Sequence, residues 1–435
     1  GRRGGQERLD APHHYPDQDE VDWSRVAFRS PEMGGFGLAT LEIGEHLSAA
    51  LRGGAWQRGR ALGNEFLEVK ISPGGSLQLL DRRNGERFRE VFLLESGGDA
   101  GDSYSYAPPA RDRLRRGQGA VRIRPLAAGP LVASIEATWR MVAGRGARNE
   151  RTGTVGVRLI VTLYAGCPAV RCTLEIENRA SNHRLRLRTN TGLGGGGAVA
   201  GSHFGVVERP AVVADGRVYP RETPVRSAPA HRYVARAAGS RGLALFAPGF
   251  FEYELDKGDL LLTVLRSIGE LSRSTLPTRP GHAGWPVAIP LAQCHGTDRL
   301  QFGIAPVTQT ELEGGTALPE LWEDLFLPPL GVWLRQASPL APAPVDLRLE
   351  GFGLVFSGMK PAQQGEGIVL RCYNATARPT AGLWHFGEPV SGAQRARADE
   401  RPLHDIRLGE GGRIVPFHAG AHEIVTIMVA LGRPG

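Results

Sequence analysis

Between Val121 and Leu187 apolar and polar residues alternate almost without a break, and few folds are open to a chain patterned this way. Leu131, Ala133, Ile135, Ala137 and Trp139 fall on one face, with Ser134, Glu136 and Thr138 opposite. Val170, Cys172, Leu174 and Ile176 likewise oppose Arg171, Thr173, Glu175 and Glu177. Leu185 and Leu187 then alternate with Arg184, Arg186 and Arg188. A period of two sends successive side chains to opposite faces of a strand, so each strand has one buried side and one solvated side. Several such strands in series need a second sheet to cover their apolar faces, which predicts a β-sandwich. On this reading the arginine row is a solvated face, stabilised by cross-strand acids, rather than a binding stripe.

The rest of the chain extends the pattern. Phe66–Ile71 and Leu77–Leu80 read as strands of a meander joined at Pro73-Gly74-Gly75, with Asn84-Gly85 as the next turn. Gly242–Pro248, Phe250–Leu255, Leu260–Leu265 and Arg299–Ile304 read as further strands, whereas His203–Pro210 and Tyr219–Tyr233 look irregular. Leu312–Trp322 reads as carrying a helical turn. SPLAPAPVD after Trp333 is the best domain boundary, and strands of a smaller sandwich are expected at Leu354–Met359, Gly367–Tyr373, Gly382–Phe386 and Glu423–Leu431. The organisation predicted is therefore a flexible lead-in at 1–25, a large sandwich at 26–335, a Pro-rich linker at 336–350 and a C-terminal sandwich at 351–435.

Composition excludes several functions. The net charge of +7 is carried almost wholly by arginine, with lysine only at Lys70, Lys257 and Lys360, and no dense basic block marks a nucleic-acid surface. No run approaches the length and apolarity of a membrane span, so no membrane partner is expected. Cys167, Cys172, Cys294 and Cys372 show neither metal spacing nor a disulfide framework, which suits reduced thiols in a cytoplasmic protein. His13-His14 has no third ligand at a supporting spacing. Gly192–Gly201 is glycine-rich but lacks the Lys-Ser/Thr and helix of a phosphate loop.

Two loops carry candidate chemistry. Gly97–Pro109, GGDAGDSYSYAPP, offers Asp99 and Asp102 among glycines; Tyr104 and Tyr106 point the same way if the segment is extended. Carboxylates and tyrosines together suit sugar hydroxyls, and two carboxylates are thin for calcium. The second loop runs from Arg266 to Asp298 and holds Arg273, Arg279, His282, Trp285, Gln293 and His295, stiffened by Pro277, Pro280, Pro286 and Pro290. Ile268, Leu271, Trp285 and Ile289 are expected to anchor it. A loop of this length is either functional or an ordered crossover with solvated arginines.

LRSIGELSRSTLPTRPGHAG followed by PLAQCHGTDRLQFGIAP resembles the post-catalytic region of glycoside hydrolase family 38, the α-mannosidases. Residues 26–47, Asn64-Glu65-Phe66, EIENRASNHRLRLR, GMKPAQQGEGIVLRCYNAT and PFHAGAHEIVTIMVAL resemble further segments of the same region. The resemblance implies an all-β, galactose-mutarotase-like super-sandwich followed by a smaller sandwich. It also implies a retaining, zinc-dependent enzyme whose nucleophile and zinc ligands sit on an N-terminal barrel. No His-x-Asp segment, no His-His-Asp and no alternating β/α pattern occurs here, so no catalytic or metal residue is assigned and the chain alone is expected to be inactive. Tyr104, Ser105, Tyr106 and Pro108 fit the family's sugar-flanking pattern, so Tyr104, Tyr106, Arg273 and Arg279 become the substrate-binding candidates. An α-mannoside and the N-terminal barrel are the implied partners. Two other readings stay open: a stand-alone carbohydrate-binding or scaffold module, and an epimerase pairing His203, His231 or His282 with Glu65 or Glu175.

Overall fold

The structure is a computed structural model that describes residues 3–5, 21–23, 28–29, 36–37, 54–117, 119–146, 153–212, 217, 219–331 and 347–431. His13-His14, most of 26–47 and most of the Pro-rich stretch lie outside these residues. The chain forms two compact units, Gly1–Glu32 and Met33–Gly435. In the first, Arg3–Gly5 pairs antiparallel with Val21–Trp23, a short ladder where the sequence suggests none.

The second unit is built on two large antiparallel sheets. One has nine strands, in the order Gly205–Pro210, Gly197–Ser202, Arg232–Ala238, Arg241–Ala247, Gly296–Pro306, Val170–Asn178, Thr154–Tyr164, Val132–Val142 and Arg122–Ala128. The other has ten, with Asp259–Ser267, His183–Thr189 and Arg87–Gly98 adjacent at its centre. The alternation decides which faces meet: Val170–Asn178 buries every second residue completely and leaves the others half-exposed. The inward residues of both sheets form one core, in which Phe92 of the ten-stranded sheet stacks on Phe302 of the nine-stranded one at 5.6 Å. Rings this close and nearly parallel gain dispersion beyond their burial. Cys172 lies fully buried in this core. The fold is all-β.

Several local expectations are corrected. His203–Pro210 is not irregular: Gly197–Ser202 and Gly205–Pro210 form a hairpin whose tip places Phe204 in the left-handed region. The glycine-rich stretch before it presents carbonyls rather than N–H groups, and the buried Arg236 guanidinium donates to Gly194, Gly195 and Gly197. The helical turn is two helices, Gln309–Gly314 and Ala317–Phe326, the first opened by a Thr308–Glu311 capping box. They cover Ala244, Phe246 and Ala305 on the outer side of the nine-stranded sheet with Leu318, Trp322 and Leu325. Where the linker was expected to run on to residue 350, Leu347–Glu350 is already a strand, paired with Leu383–Phe386. Leu347 is buried in the second core, and that burial outweighs the loop-like composition before it. The smaller sandwich stacks a three-stranded sheet on a five-stranded one around Trp384, Leu370, Val415 and Ile427.

The arginine row is the largest correction. Arg184 and Arg186 are 4% and 8% exposed, not solvated. The acids foreseen beside them are present: Arg184 and Arg186 both bond Glu254, at 3.0 and 2.8 Å, and Arg186 also bonds the fully buried Glu95 at 2.6 Å. Arg188 reaches Asp256 and Asp259. The loop after Gly98 closes over this face and removes it from water, with the Tyr106 ring 3.6 Å from the Arg184 guanidinium.

Candidate functional site

The two candidate loops meet, and Asp102 is where they meet. The 97–109 segment is not extended. Asp102 Oδ1 accepts the N–H groups of Tyr104 and Ser105 at 3.0 and 2.9 Å, an Asx-type turn that separates the two tyrosines. Tyr104 is 56% exposed, while Tyr106 is half-buried against Arg184, with Arg266 6.0 Å from its ring centre. Burial pushes the Tyr106 phenol up, against the pull of Arg184. Gly101 permits the turn, since a Cβ there would fall 2.1 Å from the Ser105 carbonyl oxygen.

The other carboxylate oxygen of Asp102 faces the long loop. It accepts the Arg273 N–H at 2.8 Å and pairs with the Arg279 guanidinium. Asp102 has no exposed surface. Burial alone would raise its carboxyl, but the N–H groups of Arg273, Ser105 and Tyr104 and the Arg279 charge together hold it below the ordinary carboxylate range. Asp99 is clamped in the same way, by Arg266 Nε at 2.8 Å, and Arg266 also donates to the Asp102 carbonyl. Ser103 adds a backbone bond to the Glu270 carbonyl and a hydroxyl bond to that of Leu271.

The long loop is ordered from both ends. Its strands end at Ser267 and resume at Gly296. Between them lie a two-residue ladder, Thr275–Leu276 with Arg279–Pro280, and a 3-10 turn at Pro290–Gln293. Ile268 anchors the start of the loop in the core, but Trp285 does not anchor it: the ring is 80% exposed. Hydrogen bonds do the anchoring instead, as Ser272 Oγ receives the N–H groups of Ala283 and Gly284. At the far end Gln293 Oε1 accepts the Asn182 backbone N–H and its NH2 donates to Asn182 Oδ1, and Asn178 donates to the Gln293 and Cys294 carbonyls.

Of the four candidates, Tyr104 presents its ring to solvent, while Tyr106 packs inward. Arg279 is 9% exposed and committed to Asp102, Ser105 and the Gly281 carbonyl. Arg273 bonds the Ala100 carbonyl and lies 3.0 Å from a Glu270 oxygen, an ion pair without hydrogen-bond alignment. The two arginines thus brace the site from beneath. Sequence reading missed Glu222 here; it accepts the hydroxyl of Ser105 at 3.2 Å, from a third loop with no motif of its own.

A resident cation does not fit these residues. Among the described residues no three His, Cys, Asp or Glu side chains converge, and Asp99 and Asp102 are already engaged by arginines. Of the histidines proposed for epimerase chemistry, His203 stacks on His231 and His282 lies exposed on the long loop, while Glu65 accepts the Gly166 N–H and Glu175 pairs with Arg158. No described hydrogen bond joins the two sets. No described helix is long and apolar enough to cross a membrane.

Comparison with known proteins supplies the class. Residues 62–270 match the family model "Glycosyl hydrolases family 38 C-terminal domain", and residues 353–427 match "Glycosyl hydrolases family 38 C-terminal beta sandwich domain". A protein of Halalkalibacterium halodurans named "Putative mannosylglycerate hydrolase" is 27% identical over 337 residues, 72% of this chain and 36% of the relative. An α-mannosidase of Enterococcus faecalis V583 superposes with a TM-score of 0.72 at 23% identity, over 87% of this chain and 43% of that one. A second Enterococcus faecalis structure, of a glycosyl hydrolase family 38 protein, gives 0.70 at 22% identity, over 88% and 45%. This chain belongs to the C-terminal, β-sandwich domains of glycoside hydrolase family 38, which the two models match over residues 62–270 and 353–427. It spans less than half the length of each of these relatives.

Proposed function

We propose that this chain is the sugar-contacting C-terminal part of a retaining, zinc-dependent α-mannoside hydrolase. Its catalytic carboxylates and zinc are assigned to a barrel outside these residues. The observation that carries the reading is the convergence of the Gly97–Pro109 and Arg266–Asp298 loops on one buried carboxylate, Asp102, on one face of the sandwich. A pair of loops locked to each other in this way holds its exposed side chains in a fixed geometry, which binding a rigid sugar ring requires. Tyr104 is the residue we expect to touch sugar, with Tyr106, Arg273 and Arg279 shaping the site around it. Trp285, Val287 and Leu291 leave large apolar side chains in water on the same loop, and a surface of that kind suits contact with the barrel. The mannosylglycerate name of the bacterial relative supports a mannoside as substrate class. The four unpaired cysteines fit a cytoplasmic location.

Retaining glycosidases need two carboxyl groups flanking the bond they cleave. In this chain Asp99 and Asp102 are both locked in buried arginine pairs, so neither is free to attack or to donate a proton. The purified chain is expected to release no nitrophenol from 4-nitrophenyl α-mannoside, with or without added zinc. Turnover that a chelator abolishes would overturn this assignment. Because the contacting loops are complete within the chain, weak sugar binding is expected without hydrolysis, and Tyr104→Ala should remove most of it.

A further inference from the structure

Three carboxylates where the two loops meet are neutralised from within, and Glu222 beside them is not. Asp99 is paired with Arg266, Asp102 with Arg279 and Glu270 with Arg273. Glu222 is exposed, and among the described residues no Lys, Arg or His nitrogen lies within ion-pair distance of it. It is nonetheless held in place. The Thr223 N–H donates to the Thr278 carbonyl at 2.8 Å, tying the third loop to the Thr275–Pro280 turn. Ser105 Oγ accepts from Arg279 Nε at 3.3 Å and donates to Glu222 Oε1 at 3.2 Å. A single relay therefore runs from buried Asp102 through Arg279 and Ser105 to an exposed carboxylate, and Arg279 also lies 6.0 Å from the centre of the Tyr104 ring.

An ionised carboxylate accepts hydrogen bonds only and has room for about four, of which Ser105 takes one. Adjacent hydroxyls of a sugar ring are donors at a spacing that the two oxygens of one carboxylate can bridge, and such bonds are charge-assisted. A ring that bears its own carboxylate would instead meet an uncompensated like charge.

We propose that Glu222 is the hydroxyl-accepting and charge-selecting residue of this site, taking a vicinal diol of a neutral sugar and disfavouring a uronate at the same place. The proposal rests on reading the Tyr104–Arg279 locus as sugar-binding.

The test compares methyl α-mannoside with methyl α-mannosiduronate by ligand-observed NMR titration on the wild-type chain, Glu222→Gln and Tyr104→Ala. Glu222 is exposed, so Glu222→Gln should melt with the wild type. Its affinity for the neutral mannoside should fall about tenfold, the loss of one charge-assisted bond. Its preference for the neutral sugar over the uronate should shrink at the same time. If Glu222→Gln binds both sugars as the wild type does while Tyr104→Ala loses binding, the role of Glu222 is refuted and the sugar site stands. If the wild-type chain binds neither sugar saturably, or Tyr104→Ala changes nothing, both fall.

Discussion

Replacing Asp102 by Asn is expected to lower stability by about 3 kcal/mol and to loosen both site loops together. Removing one member of a buried ion pair typically costs roughly 3–5 kcal/mol, because the remaining charge is left without a partner. Here the residue left behind is Arg279, 9% exposed. The amide has only one acceptor oxygen for the N–H groups of Tyr104, Ser105 and Arg273, and its NH2 would face either a backbone donor or the guanidinium. Urea unfolding should show the lower midpoint, and amide exchange should report loss of protection at 103–107 and 271–284 in step. If 271–284 kept its wild-type protection, Asp102 would not be the clamp between the loops. The pH dependence follows from the same pair. Because the folded carboxyl titrates below its ordinary value, its contribution is complete above the unfolded value of about 3.9 and is lost as pH falls through the lower folded one.

Acidification from pH 7 to pH 4.5 should cost several times more than surface titration alone would, and His183 is the reason. This histidine is fully buried between Ser96 and Asn178. Asn178 donates from its NH2 to Ser267 and to the Gln293 and Cys294 carbonyls, so its oxygen faces the ring and must accept from Nε2–H. Nδ1 then accepts the Ser96 hydroxyl, whose oxygen already receives the Gly144 N–H. The ring is thereby held neutral, and burial, aided by the nearby His295, lowers its pKa to about 4. The unfolded chain takes up the proton near 6.5 and the folded chain does not, so stability is full above 6.5 and declines as pH falls towards 4. The difference amounts to roughly 3 kcal/mol, at about 1.4 kcal/mol per pKa unit. Urea midpoints between pH 7 and 4.5 should show this slope, and His183→Gln should be weaker at pH 7 yet flatter with pH. Equal slopes in the two proteins would refute the role of His183. Since Asn178 also holds the last turn of the long loop, exchange at 290–295 should quicken over the same range.

The sequence by itself determined the architecture. A two-residue period is a local property of the chain, and Ala133–Trp139 and Val170–Asn178 bury the apolar faces that the period selects, though Ser134 and Glu136 on the opposite face of the first are buried as well. The family likeness was legible for the same reason, since long ordered segments such as LRSIGELSRSTLPTRPGHAG lie contiguous in the chain. What only the tertiary structure decided is which polar residues lose their water. Arg184 and Arg186 look solvated because alternation names two faces without saying what covers the second, and the cover is a loop some eighty residues earlier in the chain. Trp285 looks like an anchor because a large ring usually is one, yet the loop is tied by Ser272 and Asp102 and leaves the ring outside. Asp102 meets Arg273 and Arg279 across 171 and 177 residues, and Ser105 meets Glu222 across 117. No spacing encodes contacts that distant: they exist because antiparallel pairing places the Gly98 end of one strand two strands away from the Ser267 end of another.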